Sequence, residues 1–368
     1  MNNDFSYHFY SSTISSWDAM YQEVLGATKS IYWEIYAFVD DIAGNRFIDL
    51  LCDKAKQGVD VKIIVDAFGS YYLTGLSINR LRSSGVEVLL FNKLNLQLNL
   101  RQWWSRIWMR THCKILMIDE EVAFIGGVNV QRDMEQWDDV HLRLSGKVTR
   151  PLLRYFARKY ISSGGKRKRV KHILHPKLIN KVGKLKEKIK FLINSPLRYY
   201  GRSPIRKFYS TALSTAKESF NLLTPYYAPD RKFLELIFKA SKRGVKVNII
   251  LPFKNDIKLM NYMARAFYGL SKKAGATFYF LKKMNHGKAL TVDNKMGMVG
   301  STNLTNRSYF MNHEANVVFH EQNMVEELNH LLDDWKDKAD PNLENDFKNK
   351  SIIRRAKNWW AYRFKNHV

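Results

Sequence analysis

The sequence predicts an α/β protein of two pseudo-symmetric halves, each a mixed β-sheet flanked by helices, with an active site at the interface between the halves. Three observations predict it. An eighteen-residue stretch occurs twice, as HCKILMIDEEVAFIGGVN over 112–129 and HGKALTVDNKMGMVGSTN over 286–303. The same order of strand, helix and strand precedes both copies. The phrases KQGVDVKIIV and KRGVKVNIIL, at corresponding places, are recognisably one phrase written twice. The period of about 180 residues is too long for a solenoid repeat, so the chain reads as an internal duplication.

Residues 14–28 read as a helix leading into a strand at Ser30–Phe38, which is rich in aromatic and β-branched residues. Asp40, Asp41 and Gly44 mark a loop. Over 45–57, Phe47, Leu50, Leu51 and Ala55 share one helical face, and Gly58 ends that helix. Val59–Asp66 is a buried strand, and strand–helix–strand at this spacing is a βαβ unit. The order returns as a helix over 205–217, a strand at Ser219–Thr224, a helix at Asp230–Lys242 and, after Gly244, a strand at Val245–Leu251. The organisation expected is a first half over 1–160, a basic amphipathic connector over 161–200, a second half over 201–340 and a basic tail over 341–368. In the connector, Leu178, Ile179, Val182, Leu185 and Ile189 recur at helical spacing among lysines, and in the tail Ile353, Ala356, Trp360 and Phe364 do the same.

With 368 residues, 45% of them hydrophobic, each half can bury a full core. The balance of 60 Lys and Arg against 34 Asp and Glu gives a net charge of +26, which points to an anionic partner and says nothing of fold. Cys52 and Cys113 are the only cysteines, which excludes a disulfide framework and a cysteine-based zinc site. The stretch MNNDFSYHFY has no basic region followed by an apolar run, so no signal peptide is expected, and without a run of about 18 apolar residues no transmembrane helix is expected.

Aligned without a gap, the two copies share His112 with His286, Lys114 with Lys288, Asp119 with Asp293, Gly126 with Gly300 and Asn129 with Asn303. A histidine two residues before a lysine puts both on one face of a strand. The asparagine that follows at a fixed offset adds a neutral donor. Two such sets suit a phosphodiester. Lysines and asparagines can hold the non-bridging oxygens, where charge develops in the transition state, in place of a metal ion. One histidine can attack phosphorus while the other protonates the leaving alcohol, giving a phosphohistidine intermediate. A nucleophilic imidazole needs its other nitrogen held by an acceptor. Asp139, 27 residues after His112, and Glu314, 28 after His286, are the candidates to orient the two histidines. Asp119 and Asp293 close the motif and are counted with the catalytic set, although as strand-ending residues they are read as fixing the following turn. Cys113 lies in the site strand with its side chain expected on the opposite, core-facing side.

These residues resemble the phospholipase D superfamily, whose signature is the doubled His-x-Lys-x4-Asp motif. Finer features are similar to the bacterial cardiolipin synthases: the stretch DDIAGNRFIDLLCDKAKQGVDVKIIVDAFGS over 40–70, LLTPYYAPD over 222–230, GSTNLTNRS over 300–308 and the NHE that ends at Glu314. The resemblance implies two phospholipase D-like halves that join two phosphatidylglycerol molecules into cardiolipin with release of glycerol. It implies a phosphatidyl-histidine, no metal and no cofactor. By matching position it assigns His112 as nucleophile and His286 as acid and base, roles the pseudo-symmetry allows to be exchanged, and Lys114, Asn129, Lys288 and Asn303 to the phosphate. Cys113 replaces the basic residue common in the first motif, and Gly287 stands where alanine is usual. The chain resembles a short form without the two transmembrane helices that begin many members. A phospholipase D-type hydrolase and a nuclease of the superfamily are the alternatives.

Tryptophan distribution separates lipid from nucleic acid. Trp103, Trp104, Trp108, Trp359 and Trp360 lie among Arg, Lys and apolar residues, the pattern of a membrane interface. Aromatics spaced to stack bases along a groove are not recognisable. The expected partner is therefore an anionic phospholipid surface carrying phosphatidylglycerol, with the protein peripheral on the cytoplasmic face of the cell membrane and no nucleic acid bound.

Overall fold

A computed structural model describes residues 5–93, 103, 106–174, 188–196 and 203–348. The chain divides into two compact units, residues 1–136 with 141–191 and residues 137–140 with 192–368. In the first unit the elements run β1 (Phe5–Ser12), α1 (Thr13–Gly26), β2 (Ser30–Ile35), α2 (Ile42–Lys56), β3 (Asp60–Asp66), α3 (Gly75–Ser83), β4 (Glu87–Phe91), β5 (Ile115–Ile118), β6 (Val122–Gly126), β7 (Asp138–Gly146) and α4 (Arg150–Ser162). The sheet order is β1-β7-β6-β5-β2-β3-β4. Strands β2, β3 and β4 pair in parallel, and β5, β6 and β7 antiparallel.

The second sheet repeats this order. Its elements are β8 (Ile189–Asn194), α5 (Pro204–Thr215), β9 (Ser219–Leu223), α6 (Arg231–Lys242), β10 (Lys246–Pro252), α7 (Lys258–Lys273), β11 (Ala276–Leu281), β12 (Ala289–Val292), β13 (Met296–Gly300), α8 (Asn306–Phe310), β14 (Glu314–Phe319), α9 (Gln322–Asp337) and α10 (Pro341–Lys348). The strands lie in the order β8-β14-β13-β12-β9-β10-β11. The predicted mixed sheets flanked by helices are thus present in both halves.

Local chemistry explains the repeat. The aspartates Asp41 and Asp230 cap α2 and α6, accepting from the backbone N–H of Gly44 and Phe233. Both helices end ahead of a glycine with positive φ, Gly58 at 90° and Gly244 at 86°. Strand β3 is buried along nearly its whole length, as a parallel strand covered on both faces must be.

The hairpins β5–β6 and β12–β13 carry the aspartates of the repeated motif. Glu121 N–H donates to Ile118 O at 3.1 Å and Lys295 N–H to Val292 O at 3.0 Å. The two central residues of each turn have positive φ: 50° and 63° at Asp119 and Glu120, 53° and 51° at Asp293 and Asn294. That geometry matches the twist of the flanking strands and favours Asp and Asn. The Asp119 carboxylate then accepts from the N–H groups of Thr28, Lys29 and Ser30, and Asp293 from those of Lys217, Glu218 and Ser219.

Four differences from the sequence expectations are physical. Strand β1, an aromatic alternation over FSYHFYSS, was not anticipated. Residues 189–194, expected in the basic amphipathic connector, are edge strand β8, because the β-branched and aromatic run around Phe191 outweighs the helical spacing that ends at Ile189. Arg167–Val170 form only a short 3-10 turn. Residues 341–348, expected in the tail, form α10, whose Phe347 is buried with its ring 4.3 Å from that of Phe280. The rest of the connector helix (175–187), the tail (349–368) and most of the segment 94–105 lie outside the described residues. Among the described residues no helix is long and apolar enough to cross a membrane.

The hairpin aspartates generate a prediction. Burial alone would raise their carboxyl pKa, but the backbone N–H donors outweigh it and hold both below the ordinary value of 3.8. A carboxylate lowered in the folded state contributes stability that is complete above the unfolded pKa and is lost as pH falls below it. Asp119→Ala and Asp293→Ala should each cost about 1–3 kcal/mol at neutral pH, from loss of charge-assisted hydrogen bonds. They should also flatten the fall in melting temperature below pH 3.8. Wild-type stability at neutral pH in either variant would contradict this.

Candidate active site

In the first unit His112 and Lys114 immediately precede β5 and are both buried. The Lys114 ammonium donates to His112 O at 2.7 Å. It also lies 5.1 Å from the centre of the Tyr36 ring, which in turn meets the His112 ring edge-on at 5.2 Å. A cation over an aromatic face and on a carbonyl is partly compensated for its desolvation. Asn129 follows β6. Its Oδ1 accepts from Ala37 N–H at 3.2 Å and its backbone oxygen from the Trp17 indole at 2.7 Å. The amide is therefore oriented with its NH2 away from the backbone, 3.8 Å from Met134 Sδ.

The second unit repeats the arrangement before β12. His286 and Lys288 are buried, and the Lys288 ammonium donates to His286 O. Asn303 follows β13 and is buried. Its N–H donates to Ser308 Oγ at 3.2 Å, while its Oδ1 has no hydrogen-bond partner among the described residues. A buried amide oxygen without a partner is costly in a folded chain and characteristic of a group that meets a ligand. Asn285, just before His286, leaves its Nδ2 in the same condition.

The carboxylate that meets His286 is that of Asp139. Its Oδ2 is 3.0 Å from His286 Nδ1, with both side chains almost fully buried. Asp139 follows the first motif in sequence, yet residues 137–140 belong to the second unit. The cause is a change of partner along β7. His141–Ser145 pair with β6, whereas Asp138 N–H donates to Met284 O and Asp138 O accepts from His286 N–H at 2.7 Å. An ionised Asp139 makes Nδ1 the donor and leaves Nε2 for chemistry. Trp137 and Tyr226 close around the imidazole, with ring centres 5.8 and 6.2 Å from it.

Glu314 occupies the corresponding register position in β14: it precedes Asn316, the partner of Gly300, by two residues, as Asp139 precedes His141, the partner of Gly126. It is fully buried and accepts from Ser301 Oγ and, at 3.4 Å, from Asn312 Nδ2.

Asp119 and Asp293, counted with the catalytic set and read as fixing the following turn, lie in the two hairpins. Each sits at the end of its motif strand opposite the histidine, with its carboxylate engaged by backbone N–H groups of the preceding segment. Both carboxylates thus brace the hairpin turn against the start of the neighbouring strand.

The two motifs differ on the reverse side of the strand. Thr111 and Cys113 face a buried polar cluster. Thr111 Oγ1 donates to Glu34, Tyr155 OH donates to Glu34 Oε1 at 3.3 Å, and the Cys113 thiol is 3.3 Å from Tyr155 OH. Lys159 Nζ is 3.8 Å from Glu34 Oε1. Burial raises the Glu34 carboxyl pKa and lowers that of the Lys159 ammonium, each partly opposed by the other's charge. In the second motif the corresponding side is apolar and tight. A Cβ on Gly287 would stand 2.8 Å from Leu223 Cδ2 and 2.9 Å from Val140 Cγ2, which accounts for glycine where alanine was expected. Gly300 is more restricted still, since a Cβ would meet Ala315 O at 2.5 Å.

Sequence reasoning missed Tyr36, Trp137, Tyr226 and Asn285. Tyr36 and Tyr226 follow the first strand of each βαβ unit, where side chains of a parallel sheet reach a site. That position was the available signal.

Comparison with known proteins places these features. The family model described as "Cardiolipin synthase, PLD-like domain" matches residues 20–160 and 209–335. The cardiolipin synthase of Geobacillus thermodenitrificans is 29% identical over 327 residues, 86% of this chain and 64% of the relative. That of Clostridium perfringens strain 13 is 28% identical over 370 residues, 96% of this chain and 74% of the relative. The chain thus spans about 64% of the length of the first of these relatives. Among solved structures, the phosphatidylserine synthase of Haemophilus influenzae superposes with a TM-score of 0.72 at 12% identity, covering 98% of this chain and 95% of that one. The polyphosphate kinase of Porphyromonas gingivalis gives 0.60 at 12% identity, covering 98% of this chain and 52% of that one. These two likenesses concern the fold. The family match covers both repeated motifs, and the chain belongs to the cardiolipin synthase family of phospholipase D-like domains.

Proposed function

We propose that the protein is a phosphatidyltransferase that makes cardiolipin from two phosphatidylglycerol molecules on an anionic membrane surface, peripheral on its cytoplasmic face. The observation that carries the reading is the doubled His, Lys and Asn set. It is repeated in burial and in the lysine-to-carbonyl contact, with His286 held at Nδ1 by Asp139. Similarity to cardiolipin synthases over most of the chain supports the substrate class.

In this reading His112 attacks the phosphorus of one phosphatidylglycerol. The P–O bond to glycerol breaks, and the proton on His286 Nε2 goes to the glycerol oxygen, giving phosphatidyl-His112 and free glycerol. His286, now neutral, takes the proton from the hydroxyl of a second phosphatidylglycerol. That oxygen attacks phosphorus, cardiolipin forms, and His112 is released. Lys114, Lys288, Asn129 and Asn303 hold the non-bridging oxygens as charge develops on them. Asp139 keeps His286 in the tautomer that presents Nε2 and stabilises its protonated form. Glu314, by its matching register, takes the corresponding orienting role. The hydrophobic rings of Tyr36, Trp137 and Tyr226 keep the imidazoles in a dry setting, which favours the lipid hydroxyl over water as acceptor.

The test is a product assay on phosphatidylglycerol vesicles with chelator present. Cardiolipin with an equal amount of glycerol is expected. Phosphatidic acid with glycerol would make the protein a hydrolase, and cleavage of DNA with no lipid product would make it a nuclease; either result overturns the transferase reading.

Two substitution results follow. His112→Ala and His286→Ala should each lower turnover by about 10³-fold or more with the fold retained. Asp139→Asn should lower it by about 10²–10⁴-fold and displace the pH profile, since the tautomer of His286 is then no longer imposed. Substantial turnover in the histidine variants, or an unmoved pH profile in Asp139→Asn, would contradict the assigned roles.

A further inference from the structure

The loop between β3 and α3, with the first turn of α3, carries apolar side chains that the fold leaves in solvent. Phe68, Tyr71, Tyr72 and Leu76 are 65%, 77%, 70% and 82% exposed. No charged residue occurs from Ala67 to Asn79, in a chain that is 26% charged. Scattered exposed apolar residues need no explanation, but a contiguous group marks an interaction surface.

The loop is held in place. Phe68 N–H and Gly69 N–H donate to Asp66 Oδ1 at 2.9 and 3.0 Å. Ser70 Oγ donates to Tyr36 O and accepts from Phe38 N–H, both at 3.0 Å. Leu73 anchors it in the core. Asp40 accepts from Thr74 Oγ1 at 2.6 Å and from Ser77 Oγ, hydrogen bonds that hold its carboxyl below the ordinary range. Those bonds tie the loop to the start of α2, where Ile42 is also exposed. The apolar groups therefore stand on a fixed platform.

That platform is continuous with the first motif. A Cβ on Gly69 would lie 2.4 Å from Tyr36 O and 2.7 Å from its ring, so the loop backbone is pressed against Tyr36. The Tyr36 ring is in turn 5.2 Å from His112 and 5.1 Å from the Lys114 ammonium. One aromatic side chain separates the exposed patch from the phosphate-binding groups.

We propose that this loop is the element by which the first unit docks on a lipid bilayer, with Tyr71 and Tyr72 at the headgroup boundary and Phe68 and Leu76 entering the acyl region. The proposal rests on the phospholipid reading above and extends it. Tyrosines with an apolar ring and a polar tip suit that boundary. The uncharged loop lets apolar groups enter lipid without burying a charge, while the net charge of +26 draws the protein to an anionic surface. A lipid docked there presents its phosphate to His112 and Lys114 without leaving the interface.

The test compares the full chain with the triple variant Tyr71→Ser, Tyr72→Ser, Leu76→Ser, and with Tyr71→Phe, Tyr72→Phe, which keeps the rings. Binding to vesicles of phosphatidylglycerol and phosphatidylcholine is measured by co-sedimentation in about 0.5 M salt, where surface electrostatics are screened. The serine variant should bind about tenfold more weakly or worse and the phenylalanine variant much as wild type. Turnover on phosphatidylglycerol vesicles should fall with binding, whereas turnover on short-chain, monomerically dispersed phosphatidylglycerol should be unchanged. Unchanged vesicle binding in the serine variant, or absent binding by wild type, overturns the proposal; so does an equal loss on both substrates. If wild type turns over neither lipid, the transferase reading fails, and the binding difference still decides the loop.

Discussion

Burying two lysine ammonium groups beside two imidazoles is the constraint on which the rest of this structure depends. An ammonium removed from water needs acceptors fixed in advance, or the fold loses more than packing returns. Each half meets the demand in the same way, by folding the lysine back onto the carbonyl of its own histidine. The histidine and lysine lead directly into β5 and β12, whose register is set by their antiparallel neighbours. The register is locked from the other end by the hairpin aspartates, whose carboxylates bind the amides that begin β2 and β9. The motif is thus one mechanical unit, with the histidine and lysine at one end and an anchoring aspartate at the other.

The duplication is conserved in topology and relaxed in detail. Both sheets follow one strand order, and both asparagines follow their hairpins at the same offset. The reverse faces have diverged. The first motif backs onto Glu34, Tyr155 and Lys159, while the second backs onto Leu223 and Val140, which a Cβ at 287 would push aside. The acids differ as well, an aspartate in β7 and a glutamate in β14. The two histidines therefore sit in different surroundings.

Much of this was legible in the sequence. Period-2 and period-3.6 patterning marked both βαβ units within a few residues, because α2 and α6 carry cap, apolar face and terminal glycine together. The repeated His, Lys and Asn positions marked a candidate site because a duplication states each polar group twice, and all six are buried. Asp139 was legible as an acid that would orient a histidine, but not as the partner of His286, since nothing local shows that β7 exchanges neighbours between Val140 and His141. Asp119 and Asp293 were ambiguous because a motif position reads alike whether its role is chemical or architectural. Strand β8 was hidden by the helical spacing of apolar residues that ends at Ile189, and the aromatic β1 by its place ahead of the first helix. The exposed apolar loop after β3 was read only as the end of a family signature, since exposure is a property of the fold.

The most direct test of the account is to trap its covalent intermediate. Phosphatidylglycerol labelled on the phosphate is mixed with the protein, the reaction is quenched in alkali, where phosphohistidine survives, and the labelled peptide is mapped. The account predicts label on His112 and none in the His112→Ala variant. Label on His286 would reverse the assigned roles, and label on neither histidine during active turnover would contradict the phosphohistidine mechanism.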